Sequence, residues 1–247
     1  MNAQRATAAV FVVLSCITAS SVCGAQTNEI SGLARCTRAV PREGKAYDRF
    51  LELNERAKEA GTNAQLIFVG DSITQGWEGN GKAVWDKYYA RHHALNLGIG
   101  SDHTQHVLWR LEQGNVDGLK PKVAVVLIGV NNIPEESNSA GDVLAGITAV
   151  VKALREKLPD MKVLVLGIFP FREDFNLQRG KALQVNQALY HLADQRNVFF
   201  LDFGHLLIQP NGKISKEIMR DFLHPTAEGY RIWAEAMEPK LAELMSR

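Results

Sequence analysis

The chain has few cysteines and no large excess of positive or negative charge. It has 247 residues, only three cysteines and a formal net charge of +1 at pH 7. Cys16 and Cys23 lie near the N-terminus, so Cys36 is alone in the remainder and cannot form an internal disulfide there. Cys36 lies in a polar stretch without a nearby histidine, so we expect no catalytic thiol. The near-neutral charge supplies no concentrated basic face, so we expect neither nucleic acid nor an anionic membrane as a partner.

Long apolar runs are also missing, apart from a short one at the N-terminus. Arg5 precedes an apolar run over residues 6–17, and Cys23-Gly24-Ala25 supplies small residues before a cleavage point. This pattern predicts a signal peptide over residues 1–25 and an exported protein, periplasmic or secreted. The run is short for a bilayer span of about 20 residues. An uncut anchor, or a lipoprotein modified at Cys16 or Cys23, remains the alternative.

The rest of the chain alternates between short apolar runs and helix-compatible sequence. Residues 26–43 are polar without clear periodicity, and we expect a linker or surface wrap before one domain over residues 44–247. Valine-rich runs of four to six residues are typical of parallel strands buried on both faces. The five predicted strands are residues 66–69, 94–97, 123–128, 163–166 and 198–201.

Helical patterns separate these runs. An amphipathic pattern begins at Lys45 and ends near Gly61, and an apolar stripe at helical spacing covers residues 143–158. The tail, 227–245, is a further predicted helix, with Pro225 near its start. Alternation of strand and helix predicts an α/β sandwich with right-handed crossovers. In such a sheet, ligands bind beyond the carboxyl ends of the strands.

Small and polar residues follow the predicted strands and occupy the last long loop. Ser72 follows the first strand, Ser101 the second and Asn131 the third, and the loop carries Asp221 and His224. Acyl transfer needs a nucleophile, a base, a group that orients the base, and oxyanion donors. Ser72, His224 and Asp221 supply the first three in that order. The backbone N–H groups of Ser72 and Ser101, with the Asn131 amide, are the candidate oxyanion hole.

Each of these residues also has an ordinary structural interpretation. Ser72 could cap the next helix, Asn131 could be a turn residue, and Asp221 and His224 could form a solvated loop. No serine lies in Gly-x-Ser-x-Gly, which argues against an α/β-hydrolase fold.

Two other function classes remain open. A metal-dependent hydrolase could use the histidine pairs His103/His106 and His92/His93, although no acidic residue accompanies them at a recognisable ligand spacing. The same fold could also carry a non-catalytic carbohydrate-binding protein.

The motifs resemble those of the SGNH/GDSL hydrolases. Residues 68–72 are similar to the first block of that family, 129–132 to its asparagine block, and 221–225 to the block with its acid and base. The long second block, residues 95–112, resembles a group within the family, the catalytic subunits of intracellular platelet-activating-factor acetylhydrolase.

This resemblance implies a flavodoxin-like three-layer fold with a five-stranded parallel sheet. It also implies hydrolysis of small acyl esters, often acetyl, without metal or another cofactor. It gives Ser72 the role of nucleophile, Asn131 that of oxyanion donor, Asp221 that of orienting acid and His224 that of base. The oligomeric state is not indicated.

The chain departs from the family at Ser101, where relatives carry glycine. Because the oxyanion donor there is a backbone N–H, we expect the hole to persist, with Gly100 adopting any unusual dihedral angle. The added hydroxymethyl is expected to narrow the acyl pocket and favour acetyl. The predicted export favours acetylated saccharides over platelet-activating factor as the substrate.

Overall fold

A computed structural model describes residues 32–246, so the predicted signal peptide lies outside the described residues. The core is one sheet of five parallel strands in the order β2-β1-β3-β4-β5. The strands are β1 Leu66–Gly70, β2 Leu95–Gly98, β3 Val123–Leu127, β4 Lys162–Leu166 and β5 Val198–Leu201. All five predicted strands are present, with β2 beginning and ending one residue later than predicted.

Helices cover both faces of this sheet. The described residues contain eight α-helices: α1 Gly32–Thr37, α2 Lys45–Ala60, α3 Ser72–Gln75, α4 Lys82–Tyr88, α5 Thr104–Glu112, α6 Ala140–Lys157, α7 Leu177–Leu189 and α8 Ala227–Ser246. Helix α6 contacts α5 and α7, while α4 contacts α8. Strands β1 and β3 are buried along their whole length, as strands between two helical layers must be. The predicted three-layer α/β fold is confirmed.

The clearest predicted helix, α6, shows how the sequence sets an element. Ser139 is its N-cap and accepts a hydrogen bond from the Asp142 N–H, while the Asp142 carboxylate accepts one from the Ser139 N–H. This capping box satisfies backbone donors that a helix start leaves free. The predicted apolar stripe faces the sheet and is buried, at Val143, Ile147, Val150, Val151 and Leu154.

The strand order creates a crevice at one edge of the sheet. The chain passes from β1 outward to β2, then crosses back to β3 on the other side of β1 and continues to β5. In doubly wound sheets, ligands bind where the strand order reverses, beyond the carboxyl ends of the strands. The carboxyl ends of β1 and β3 therefore mark the expected position of a site.

Two regions add detail to the sequence interpretation. The segment expected to be a linker or wrap contains helix α1, and the Val40 N–H donates to the Gln105 carbonyl at 3.1 Å. Helix α1 has six residues, too few to show a helical period. Cys36 on α1 is buried, and burial raises the pKa of its thiol to about 11, which makes it a poor nucleophile.

Helix α8 agrees with the predicted helix, residues 227–245, to within one residue, but Pro225 does not lie at its first position. The helix begins at Ala227, two residues after Pro225, and the proline inside it is Pro239. Pro225 instead forms an isolated antiparallel bridge with Met219. Within residues 32–246, no helix has both the length and the apolar character needed to cross a bilayer.

Candidate active site

Ser72 is the first residue of α3, directly beyond the carboxyl end of β1. The N-cap of that helix is Asp71, whose Oδ1 accepts a hydrogen bond from the Ile73 N–H at 2.9 Å. The alternative in which Ser72 caps the helix is therefore wrong, and its hydroxyl is available. Ser72 Oγ lies 2.9 Å from His224 Nε2.

Asp221 and His224 are held together by a tight turn. Asp221 Oδ2 lies 2.7 Å from His224 Nδ1. Its Oδ1 accepts hydrogen bonds from the backbone N–H groups of His224 and Leu223, at 2.8 and 3.2 Å. Phe222, inside the turn, has a left-handed backbone with φ of 60°. The aspartate thus closes the turn and orients the ring with the same carboxylate.

The charge of Asp221 fixes which ring nitrogen of His224 carries a proton. Partial burial raises the pKa of Asp221, but the hydrogen bonds from His224 and Leu223 outweigh it and hold that pKa below its usual value. An ionised carboxylate can only accept hydrogen bonds, so Nδ1 of His224 must donate. In the neutral ring, Nε2 is then the acceptor that faces the Ser72 hydroxyl.

Asn131 and Asn132, which follow β3, have separate tasks. Asn131 lies on a 3₁₀ turn over Val130–Asn132 and donates from Nδ2 to the Asp102 carbonyl at 2.8 Å. An amide nitrogen has two N–H donors, so one of them is left for a ligand. Asn132 is buried and accepts from the Thr104 N–H at 3.1 Å, which ties the turn to α5.

The loop Gly100–Asp102, called the oxyanion loop below, has three consecutive backbone N–H groups. The first and the third donate hydrogen bonds, and the second does not. The Gly100 N–H donates to Gln75 Oε1 at 2.7 Å, and the Asp102 N–H donates to the Ile99 carbonyl at 3.2 Å. Across residues 32–246, the Ser101 N–H has no hydrogen-bond partner. A donor of this kind is what an oxyanion hole requires.

The backbone of this loop corrects one sequence expectation. Ser101 itself adopts the left-handed conformation, with φ of 62°, whereas Gly100 does not have positive φ. The Asp102 N–H donates to the Ile99 carbonyl across a four-residue turn, and Ser101 occupies the third position, where a type II turn has positive φ. A serine therefore occupies a conformation that glycine adopts at little cost.

A buried ion pair beneath the loop was missed by the sequence analysis. Arg110 Nε donates to Asp102 Oδ2 at 2.9 Å, and Arg110 Nη2 donates to the Gly70 carbonyl at 3.1 Å. The guanidinium joins the end of β1, next to Ser72, to the oxyanion loop. The available signal was a basic residue inside the apolar stripe of α5, between Val107 and Leu111, all of them buried.

Of the histidines of the metal-hydrolase alternative, His103 and His106 lie at the start of α5, whereas His92 and His93 lie on the turn before β2. His106 Nδ1 accepts from the His103 N–H at 3.0 Å. Burial, with nearby positive charge, lowers the pKa of His106 to about 3, so its ring is neutral and can accept. His103 Nε2 lies 3.1 Å from Glu135 Oε1. Over residues 32–246, no group of three or more His, Cys, Asp or Glu side chains is arranged to hold a metal ion.

Open space lies beside these residues. A cavity of about 160 Å³ has Asn131, Leu223 and Asp221 in its wall. A larger open groove of about 760 Å³ shares Pro134 and Arg172 with the cavity. The groove continues along a loop and the start of α7, past Asp174, Phe175, Asn176, Leu177, Gln178 and Lys181.

Comparison with known proteins agrees with this arrangement. The chain is 39% identical over 181 residues to the human platelet-activating factor acetylhydrolase IB subunit alpha2, covering 73% of this chain and 77% of that protein. A GDSL-like lipase from Bacteroides thetaiotaomicron superposes with a TM-score of 0.64 at 17% identity, over 78% of this chain and 97% of the other. An acetylxylan esterase from Geobacillus stearothermophilus gives 0.57 at 18% identity, over 74% and 95%.

The family model described as the GDSL-like Lipase/Acylhydrolase family matches residues 68–232, which include Ser72, Ser101, Asn131, Asp221 and His224. The chain therefore belongs to the GDSL-like lipase/acylhydrolase family and is a carboxylic ester hydrolase.

Proposed function

We propose that this enzyme hydrolyses short-chain esters, above all acetyl esters of saccharides, through a Ser72–His224–Asp221 triad. The observation that carries the proposal is the unbroken chain of contacts, with Ser72 Oγ 2.9 Å from His224 Nε2 and His224 Nδ1 2.7 Å from Asp221. A hydroxyl in contact with an oriented imidazole is the arrangement that activates a serine for attack on an acyl carbon.

The reaction has two halves. In the first, His224 Nε2 takes the hydroxyl proton while Ser72 Oγ bonds to the ester carbonyl carbon. The tetrahedral intermediate collapses, the bond to the alcohol oxygen breaks, and the His224 proton goes to that oxygen. In the second half, His224 takes a proton from water, whose oxygen attacks the acyl-enzyme, and the carboxylic acid leaves as the proton returns to Ser72.

The oxyanion formed in each half needs donors in place before reaction. Ser72 is the first helical residue of α3, so its N–H has no acceptor within that helix. The free N–H of Ser101 and the second amide N–H of Asn131 complete the proposed oxyanion hole. Fixed donors of this type stabilise the developing charge without reorganisation during the reaction.

The saccharide part of the proposal rests on the shape and chemistry beside the triad. The cavity next to Asn131 shares Pro134 and Arg172 with a groove whose wall mixes amide, charged and apolar side chains. Phe175 on that wall is 72% exposed, which leaves a ring face available to a sugar ring. One of the structural relatives is an acetylxylan esterase, so the substrate of that enzyme is an acetylated saccharide.

A direct test compares wild type with Ser72→Ala on 4-nitrophenyl acetate and on acetylated xylo-oligosaccharides. Loss of the nucleophile should lower kcat by about 10⁴-fold or more while the fold is retained. Circular dichroism and the unfolding midpoint serve as controls for folding. A Ser72→Ala enzyme that kept a tenth of wild-type activity would refute the nucleophile.

A second pair of variants tests the groove. Phe175→Ala should raise KM for the oligosaccharide roughly fivefold, the effect of losing about 1 kcal/mol of ring contact, and leave 4-nitrophenyl acetate unaffected. Tyr190→Ala removes a ring of similar exposure, 67%, from the other end of α7 and is the matched control. Equal behaviour of the two variants on the oligosaccharide would remove the groove from the proposal.

Export belongs to the proposal as well. An enzyme outside the cytoplasm meets acetylated polysaccharides, and the pattern of residues 1–25 is that of a secretory signal. Sequencing the N-terminus of the exported protein should find a start at or near Gln26. A lipid-modified cysteine or an intact Met1 would contradict that start.

A further inference from the structure

Arg42 reaches the oxyanion loop from outside the segment that the family model matches, residues 68–232. Its Nη1 donates to the Ser101 carbonyl at 2.9 Å and to Asp102 Oδ1 at 3.4 Å. The segment that carries it is anchored two residues earlier, where the Val40 N–H donates to the Gln105 carbonyl on α5. With 29% of its side chain exposed, Arg42 lies across the loop with its head partly shielded from water.

The loop requires such a contact because of the backbone of Ser101. Left-handed φ brings Cβ close to the backbone in any residue except glycine, so an unsupported serine returns to negative φ. A change of φ at Ser101 rotates the plane of the Gly100–Ser101 peptide and therefore redirects the free N–H of Ser101. The Asp102 N–H shares a peptide plane with the Ser101 carbonyl and donates to the Ile99 carbonyl at 3.2 Å, so Arg42 adds a second contact to that plane.

We propose that Arg42 is a positioning residue, which holds Ser101 in its left-handed conformation and thereby keeps the Ser101 N–H directed into the oxyanion hole. The inference rests on the proposed function, because it assigns the Ser101 N–H a role in catalysis. It also accounts for a serine at a position where glycine is the conformationally easy choice. The contact with Arg42 stabilises the left-handed conformation of Ser101, which a glycine at this position would adopt without such support.

Besides Gln75 and Asn131, two more side chains contact the same loop and define what Arg42 adds. His103 Nδ1 lies 3.2 Å from the Ser101 carbonyl, and its proton depends on the tautomer. Arg110 holds the Asp102 carboxylate from below but does not contact Ser101. Arg42 combines a permanent positive charge with a direct contact to the Ser101 peptide.

A double-mutant cycle tests the proposal with four proteins: wild type, Arg42→Met, Ser101→Gly and the double variant. In the wild-type background, Arg42→Met should lower kcat on 4-nitrophenyl acetate by about tenfold, the cost of an unsupported left-handed serine, with KM unchanged. In the Ser101→Gly background, the same substitution should cost less than about threefold, because glycine adopts positive φ readily.

Two further variants separate positioning from general stability. Arg42→Lys keeps a cationic donor within reach of the carbonyl and should recover most of the lost kcat. Arg38→Met removes an exposed arginine from the same segment and should match wild type. The proposal is overturned if Arg42→Met behaves like Arg38→Met, or if Arg42→Met costs the same factor in both backgrounds.

A crystal structure of Arg42→Met gives a readout without any substrate. We expect negative φ at Ser101 in that variant, in place of the present 62°. Retention of the left-handed conformation there would refute the positioning role. This measurement stays informative even if the wild-type protein hydrolysed no ester, which would refute the proposed function instead.

Discussion

The two turns that supply the proposed site are stabilised in opposite ways. The turn from Asp221 to His224 is closed by its own residues, since one carboxylate accepts from two backbone N–H groups and from the ring. The oxyanion loop is held by side chains from distant parts of the chain: Arg42, Gln75, Arg110 and Asn131. The proposed acid–base pair is thus a local structure, whereas the proposed oxyanion loop depends on the packed fold around it.

This difference predicts which changes act on chemistry alone. Substitutions in the local turn should lower activity and leave the fold intact, because Asp221 is exposed and His224 is only partly buried. Substitutions in the supports of the oxyanion loop should affect stability as well, because Arg110 and Asp102 are buried together. The following predictions test the contrast.

The largest expected effect is in the local turn. His224→Ala removes the proposed base and should lower kcat by about 10⁴-fold with little change in the unfolding midpoint. Asp221→Asn should lose less, because an amide oxygen can still accept from the backbone N–H groups while Nδ1 loses its carboxylate. Steady-state kinetics and thermal unfolding measure both. A strongly destabilised His224→Ala protein would contradict the local character of the turn.

A smaller effect, now on stability, is expected beneath the oxyanion loop. Arg110→Met leaves the buried Asp102 carboxylate with only its longer contact to Arg42, at 3.4 Å, and should lower the free energy of unfolding by about 3 kcal/mol. Urea unfolding measures the loss. Lys152→Met on α6 is the control, because Lys152 is exposed and forms only a surface pair with Glu156. Equal stability of the two variants would show that the buried pair does not support the loop.

These two results bear on what the sequence could predict. The spacing of Asp221 and His224 along the chain contains the geometry of their contact, so the pair was predicted from sequence. The sheet was predicted because buried parallel strands have a recognisable composition, as β3 shows. Arg110, Arg42 and Gln75 were not predicted, because each acts through a contact that folding creates between distant residues. The unusual backbone dihedral angle was assigned to Gly100 and not to Ser101 for the same reason.

Asn131 donates to the oxyanion loop and is the third of the proposed oxyanion donors. Asn131→Ala should lower kcat by about 10²–10³-fold, the usual cost of one oxyanion donor, and leave KM nearly unchanged. The variant also removes the bond to the Asp102 carbonyl, so the unfolding midpoint is measured in parallel. A loss confined to KM would show that Asn131 binds the substrate rather than the oxyanion.

The smallest expected effect is on the pH dependence of stability, and it contrasts the carboxyl groups of Asp71 and Asp221. Burial raises the pKa of Asp71 to about 7, whereas the pKa of Asp221 is lowered. Asp71 therefore binds its proton more tightly in the folded state, so the wild type loses stability as pH rises from the unfolded pKa toward 7. Each pH unit in this window costs at most about 1.4 kcal/mol.

The Asp71→Asn variant isolates this effect, because an amide does not titrate and its oxygen can still cap α3. The stability of the variant relative to wild type should increase between pH 5 and pH 6, as measured by urea unfolding. A difference that stays constant over this range would show that the Asp71 carboxyl titrates normally.

The central claim is that Ser72 is activated by His224, and covalent labelling measures it most directly. Mass spectrometry of the wild-type protein after treatment with a fluorophosphonate should show one adduct, mapped to the peptide with Ser72. Labelling should be absent in Ser72→Ala and strongly slowed in His224→Ala. An adduct at another residue, or labelling of Ser72→Ala at the wild-type rate, would contradict the account.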